Sequence, residues 1–395
     1  MNKILIEQLV GEFGTPLLVM DHAQITKNYK EFKRKLLRVK PYFAVKSNPE
    51  PEIIQTIYDL GGGFDVASLP EFKLVADRIK NLLPEDQQEF IWNKLIYANT
   101  VKKIDSLHEL NLYKPLLTYD SLEEMEKIKK HCPDAGLLLR IKVPNNGSVV
   151  ELSNKFGIDP KYAVDLIAKT LKAKIQVEGI SFHVGSQCNN FDNFIVALNI
   201  VNDIFKKCDK KKIIIGESVS KGYPVKVLDI GGGFPVKYHD SDASFDELAR
   251  KLNQELNNLF MKDKVDIMAE PGRFMVATAG TSIARVILAK HIWHDKPYYH
   301  IDDGIYHTYS AIMFDHLIPK LESLKYGKEK RSVVLGPTCD GLDEISREAM
   351  LPKLREGDLI IAKNMGAYTN ASTTGNQYKE GFNGYPPAKV IHINL

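Results

Sequence analysis

Between about residue 40 and residue 270, short apolar runs alternate with longer amphipathic stretches. Eight of the runs read as strands: Tyr42–Lys46, Gly63–Ala67, Leu95–Asn99, Leu116–Asp120, Leu137–Lys142, Gly179–Gly185, Val225–Ile230 and Val265–Glu270. Each is short, mostly apolar and often β-branched, as expected of a parallel strand buried on both faces. Between them Pro49–Leu60, Ser121–His131, Pro160–Leu171 and Phe191–Lys207 space their apolar residues by three or four, which predicts helices. Eight strands with intervening helices imply a (β/α)8 barrel, with a doubly wound sheet as the rival. The polar residues favour the barrel. Lys46, Asp65, Asn99, Asp120, Arg140, His183, Asp229 and Glu270 fall at or near the C-terminal ends of the runs, the face where barrels collect their chemistry.

After Glu270 the pattern changes. Residues 273–290, 297–303, 331–336, 359–363 and 388–394 read as β-strands, punctuated by Gly336–Pro337, Gly357–Asp358 and Pro386–Pro387. They predict an all-β domain, and the isolated strand Thr15–Val19 is expected to join it. The expected division is a barrel over 22–276 and a β domain of 1–21 with 277–395.

Bulk properties narrow the function. Apolar residues make up 44% of the 395 and charged residues 26%, ordinary for a folded globular chain. The net charge of +3 is spread over mixed signs, and Lys206–Lys207 with Lys210–Lys212 reads as a solvated helix end, so no nucleic-acid partner is expected. Four cysteines without a C-x-x-C pair make neither a disulfide framework nor a zinc site. Glu7 and Glu12 interrupt what a secretory signal would need to be apolar, and no run is long enough to span a bilayer. A cytoplasmic protein without membrane contact is the expectation. His291 and His294 form an H-x-x-H pair in a strand-like stretch without a third ligand, so no metal is expected.

The chemistry sits in the strand-end motifs. Lys46, in PYFAVKSNP, is either an ion-paired lysine or an amine placed to form an imine with an aldehyde cofactor. Gly231–Gly232–Gly233 follow the seventh run and make either a tight turn or a phosphate cradle, with Arg273 in EPGRF able to supply a cation. Glu270 is either a structural ion-pair partner or the acid that keeps a pyridine nitrogen protonated. His183 can pack in the core or stack on a cofactor ring, and Ser186 can bond a phosphate. Cys339 and Asp340, in GPTCDGLD, make either a capped turn or a proton donor beside a charge. Asp315, in MFDH, is an N-cap, the commoner role, or a ligand.

Together the motifs FAVKSN, GGGFDVAS, IYAN, FHVGSQ, LDIGGGFP, EPGRF, GPTCDGLD and NMGAYT resemble the barrel-type pyridoxal-phosphate (PLP) decarboxylases, whose fold is like that of alanine racemase. The resemblance runs from about residue 15 to 395. It implies PLP as cofactor, with Lys46 bonded to it and Asp65, Arg140 and His183 around it. Ser186, Gly231, Gly232, Gly233, Arg273 and Tyr368 would take its phosphate, and Glu270 its ring nitrogen. Lys46, Cys339, Glu270 and His183 would be catalytic, Cys339 protonating the carbon that loses its carboxylate. The GPTCDGLD loop would reach the neighbouring subunit's site, implying a homodimer with shared active sites.

Within that family, FDH and GPTCDG followed by Asp343 look most like ornithine decarboxylases. Asp315, Asp340 and Tyr306 would then bind substrate, the two acids holding its distal ammonium and repelling a second carboxylate. The implied reaction is L-ornithine to putrescine and carbon dioxide, a step of polyamine biosynthesis. Dual lysine/ornithine activity and 2,4-diaminobutyrate or arginine decarboxylation are alternatives. Ser47–Asn48–Pro49, Thr100, Gln187 and Phe314 depart from the commonest family forms and bear on the substrate rather than on the cofactor. Racemases share the fold, but EPGR and the Cys339 loop argue against one. A catalytically silent binding protein is the rival of another class. It would be expected to lose cofactor residues, and Lys46, Asp65, Glu270, Arg273, Cys339 and Tyr368 are all present.

Overall fold

A computed structural model describes residues 1–150, 154–216, 225–238, 242–260, 265–291, 295–369 and 381–395. They form two compact units. One comprises Asn28–Lys237 and Ser241–Gly272, the other Met1–Lys27, Tyr238–Asp240 and Arg273–Leu395.

The first unit is a closed parallel barrel of eight strands. These are β1 (Val39–Ala44), β2 (Gly63–Val66), β3 (Leu95–Tyr97), β4 (Leu116–Tyr119), β5 (Gly136–Arg140), β6 (Val177–Ser181), β7 (Lys226–Asp229) and β8 (Val265–Ala269). Each pairs with its successor, and β8 returns to β1 through Ile267↔Val39. All eight expected runs are therefore strands, in barrel order. Tyr42, Ile96, Leu116, Leu138 and Met268 share one apolar cluster, which explains why the runs read as continuous. Local signals set the helices. Ser68 and Ser121 cap Leu69–Ile79 and Leu122–His131 by accepting N–H bonds from Glu71 and Glu124, both at 3.3 Å. Pro160 opens Pro160–Lys172, where its missing N–H costs nothing.

The second unit is an eight-stranded mixed sheet. The strand Leu17–Asp21 joins it as expected, antiparallel to Gly280–Lys290 and parallel to Lys389–Ile393. Two readings need correction. The strand expected over 273–290 begins at Gly280, because Arg273–Val276 is an α-turn and Ala277–Ala279 a 3-10 turn. A Cβ on Gly280 would stand 2.2 Å from the backbone nitrogen of Gly366, so the sheet closes tightly there. The strands Leu321–Ser323 and Glu344–Leu351 escaped the sequence reading.

Candidate active site

Lys46 lies in the single 3-10 turn, Val45–Ser47, that ends β1. Its Nζ pairs with Oδ2 of Asp65, which sits on β2 beside Ala44. The Asp65 side chain is 0% exposed and that of Lys46 37%, so the amine faces outward from a buried counter-ion. Asp65 Oδ1 is buried and makes no hydrogen bond among the described residues.

Two more acids are buried at the same face. Glu270 follows β8 and Asp229 ends β7. Asp229 Oδ1 accepts the Gly231 N–H at 2.9 Å, and the Glu270 N–H donates to the Gly231 carbonyl at 2.8 Å. Burial, then the neighbouring Asp229 and Asp65, pushes the Glu270 carboxyl well above its usual range, and Lys46 only partly offsets this. Asp229 is pushed up to about 6, chiefly by burial, while its bonds to Glu270 and to the Gly231 N–H pull it down. Both buried acids are thus raised, Glu270 the more strongly, and Asp229 Oδ2 is buried without a hydrogen-bond partner among the described residues. His183 runs the other way. Burial, then the cations Arg140 and Lys46, keeps its ring well below the usual range, hence neutral. Its Nδ1 accepts the Gly185 N–H at 3.0 Å, which assigns the proton to Nε2.

The raised Asp229 carboxyl has a measurable consequence. Between its unfolded and its raised folded pKa, such a group binds a proton only in the folded state, so stability is lost as pH rises through that window. For Asp229 that window runs from the ordinary 3.8 to about 6. Cofactor-free protein is expected to gain a few degrees in Tm between pH 7 and pH 5 from this source. Asp229→Asn should lose that gain in a thermal scan across the same range. An identical pH profile in the variant would show that Asp229 takes up no proton on folding in this range.

The glycines are demanded by packing. A Cβ on Gly232 would lie 2.8 Å from His183 Nε2, and one on Gly233 2.4 Å from the Gly185 carbonyl. The Gly231 N–H is already held by Asp229, which leaves Gly232 and Gly233 as the donors to consider. Ser186 begins the short strand Ser186–Cys188, paired with Ser148–Val150. The Arg140 guanidinium stands 5.0 Å above the Phe156 ring. The other strand-end residues serve neighbouring loops: Asn99 donates to the Ala67 carbonyl at 3.2 Å, and Asp120 accepts the Gly157 N–H at 2.8 Å. Glu71, which the sequence reading passed over, reaches back to the Ala67 N–H at 2.7 Å from a helix start capped by Ser68.

The remaining candidates belong to the β unit and fall into two clusters. In the first, Arg273 is 5% exposed. Its Nη2 pairs with Asp315 Oδ2, its Nη1 donates to the Tyr238 hydroxyl at 3.1 Å, and its guanidinium lies 5.0 Å from the Tyr368 ring centre. In the second, the Tyr306 hydroxyl donates to Asp340 Oδ2, and its ring stacks on Phe382 at 4.3 Å. Cys339 is exposed, with its Sγ 3.4 Å from Asn383 Oδ1. Asp343 is buried beneath this loop, accepting N–H bonds from Ile305 and Thr338 and a hydroxyl bond from Thr338 at 2.7 Å. Asp315 and Asp340 thus sit in separate clusters. Tyr238, Phe382 and Asn383 were missed, since no motif marks them. His291 bonds the Leu354 carbonyl at 2.9 Å, and His294 lies outside the described residues.

Residues 22–277 match the family described as pyridoxal-dependent decarboxylase, pyridoxal binding domain. The chain belongs to the pyridoxal-dependent decarboxylases. It is 34% identical to the lysine/ornithine decarboxylase of Selenomonas ruminantium, over 98% of this chain and 91% of that one. It is 32% identical to antizyme inhibitor 2 of Xenopus laevis, over 99% of this chain and 83% of that one. Among solved structures, a lysine/ornithine decarboxylase from Vibrio vulnificus complexed with putrescine superposes with a TM-score of 0.86 at 33% identity, covering 99% of this chain and 98% of that one. The cofactor of this decarboxylase is PLP. The barrel mouth suits it: a lysine amine, a buried carboxylate oxygen still lacking a donor among the described residues, a buried acid held well above its usual range and a backbone kept bare by glycine. Among the described residues, no helix is long and apolar enough to cross a membrane.

Proposed function

We propose that this decarboxylase converts L-ornithine to putrescine and carbon dioxide, supplying polyamine biosynthesis, with L-lysine the nearest alternative substrate. The observation that carries the reading is Asp315, a carboxylate only 8% exposed, in a chain similar to enzymes that take diamino acids. A second acid, Asp340, is polarised by Tyr306. Bonds from the Leu342 N–H and the Tyr306 hydroxyl hold Asp340 below its usual range, so it stays charged. Acids at the distal end attract an ammonium and disfavour the second carboxylate of diaminopimelate.

When bound, PLP supplies an aldehyde that bonds an amine and a ring that takes up the electron pair left by the departing carboxylate. The rest is the work of side chains. Lys46 offers the amine, with Asp65 as its counter-ion. Glu270, backed by Asp229, holds a proton for the ring nitrogen. Neutral His183 offers a flat, uncharged face, which does not oppose a positive ring. Arg140 lines the cofactor. Ser186, Gly231, Gly232, Gly233, Arg273 and Tyr368 are assigned to its phosphate, Gly231 through its backbone shape rather than its N–H. Cys339 Sγ delivers a proton to the carbon that lost its carboxylate. Cys339 is exposed and its loop is braced by Asp343, which supports a homodimer whose subunits complete each other's sites. The four free cysteines agree with a reduced, cytoplasmic setting.

The test is product analysis of the PLP-loaded protein with L-ornithine, L-lysine, L-arginine, L-2,4-diaminobutyrate and meso-diaminopimelate in parallel. Putrescine from L-ornithine should dominate. Cadaverine should follow at a 10- to 200-fold lower kcat/KM, since one methylene discriminates by about 1–3 kcal/mol. A different leading product overturns the substrate. No turnover with PLP bound favours the silent binding reading, which the likeness to an antizyme inhibitor keeps open. Asp315→Ala should raise KM for ornithine about 10- to 100-fold, the worth of a charged hydrogen bond of about 1.5–3 kcal/mol. Unaltered kinetics in that variant would mean that the ammonium is read elsewhere.

A further inference from the structure

Arg273 and Asp315 are assigned above to opposite ends of the bound reactants, one to the cofactor's phosphate and the other to the substrate's distal ammonium. Yet they are each other's ion-pair partner. Both are buried, at 5% and 8% exposure, where neither charge is tolerated alone. The two terminal nitrogens of the guanidinium are held differently. Nη1 is anchored by the Tyr238 hydroxyl at 3.1 Å, while Nη2 faces Asp315. The Tyr368 ring covers one face at 5.0 Å and the Tyr238 ring stands at 5.9 Å. A neutral aromatic frame therefore keeps Arg273 in place whichever anion Nη2 meets.

We propose that the Arg273–Asp315 pair is a charge-exchange latch: a phosphate draws Nη2 away from Asp315, and the released carboxylate becomes the receptor for a diamine's ammonium. Tyr238 is the positioning residue that holds Nη1 throughout. The charges balance in both states. The closed latch holds one cation and one anion, and the open one holds two ion pairs, guanidinium with phosphate and ammonium with carboxylate. Cofactor phosphate and diamine then bind with positive coupling, and by linkage each tightens the other equally. A carboxylate kept for the substrate thus competes with the cofactor until the substrate arrives.

This rests on the assignment of Arg273 to the phosphate, and the two claims separate experimentally. The readout is affinity, followed by the visible absorption that appears on cofactor binding, for PLP and for pyridoxal, which lacks the phosphate. Arg273→Met should lower the preference for PLP over pyridoxal; an unchanged ratio overturns the phosphate assignment and the latch with it. Asp315→Asn should do the opposite and tighten PLP about tenfold, within the usual 5- to 150-fold range of site-to-site coupling, with pyridoxal unaffected. A residue that merely oriented Arg273 would weaken PLP when removed, so equal or weaker binding overturns the latch alone. Asp315→Asn leaves a buried cation without its carboxylate, so the coupling is also read in the unaltered chain. Calorimetric titration of cofactor-free protein with putrescine should give about tenfold tighter binding with inorganic phosphate present. Phosphate-independent putrescine binding overturns the proposal.

Discussion

Lys46→Ala is expected to abolish the visible absorption of bound PLP and to lower decarboxylation by at least about 10³-fold, more than about 4 kcal/mol of barrier. The reason is placement. The turn Val45–Ser47 fixes the amine at the rim of a packed barrel, against a carboxylate that is 0% exposed. The variant also leaves Asp65, Asp229 and Glu270 facing Arg140 with one cation fewer, so part of any loss would reflect a destabilised acid cluster. Lys46→Arg removes that ambiguity. It keeps a cation beside Asp65, but its guanidinium does not form the covalent bond. The arginine variant should fold, retain no visible band and remain inactive. A band that survives in either variant assigns the cofactor to another amine and undoes the barrel-mouth site.

The barrel was legible because most positions of its strands are buried on both faces. That burial forces a largely apolar run, and the runs end where the chain turns polar at the C-terminal face of the barrel. The same logic made Lys46, Asp65 and Glu270 readable as a set. The β unit was less legible. Glu344–Leu351 carries Glu344, Arg347 and Glu348 among its apolar residues, so its pattern is diluted. Leu321–Ser323 is too short to carry a period. The stretch RFMVATA is apolar throughout, and periodicity cannot tell a buried turn of helix from a strand there. In the clusters, sequence named the members but not the pairings. That Asp315 meets Arg273, and Asp340 meets Tyr306, depends on contacts between residues far apart in the chain. Tyr238 was invisible because a tyrosine past a glycine loop has no signature until Arg273 is found beside it.

Cys339→Ala is expected to lower turnover by about 10²- to 10⁴-fold, the usual weight of a positioned proton donor, and to yield a product that is no longer wholly the amine. Loss of carbon dioxide does not need the thiol; correct delivery of the following proton does. The structure sharpens this expectation. A proton donor works best away from bulk water, yet Cys339 is exposed in its own chain, in a loop held by Asn383 and underpinned by Asp343. A rigid loop presenting an exposed thiol suits a partner subunit that covers it. The dimer reading then makes a quantitative demand. Lys46→Ala and Cys339→Ala each lose nearly all normal turnover because every site lacks one group. If each site draws its lysine from one subunit and its cysteine from the other, random reassortment makes half the dimers mixed, and each mixed dimer has one intact site. Mixing the two inactive variants should therefore restore about a quarter of the unaltered activity. No recovery, in a mixture shown to exchange subunits, would place lysine and cysteine in the same chain's site, and the exposure of Cys339 would then need a closing movement within one subunit rather than a partner.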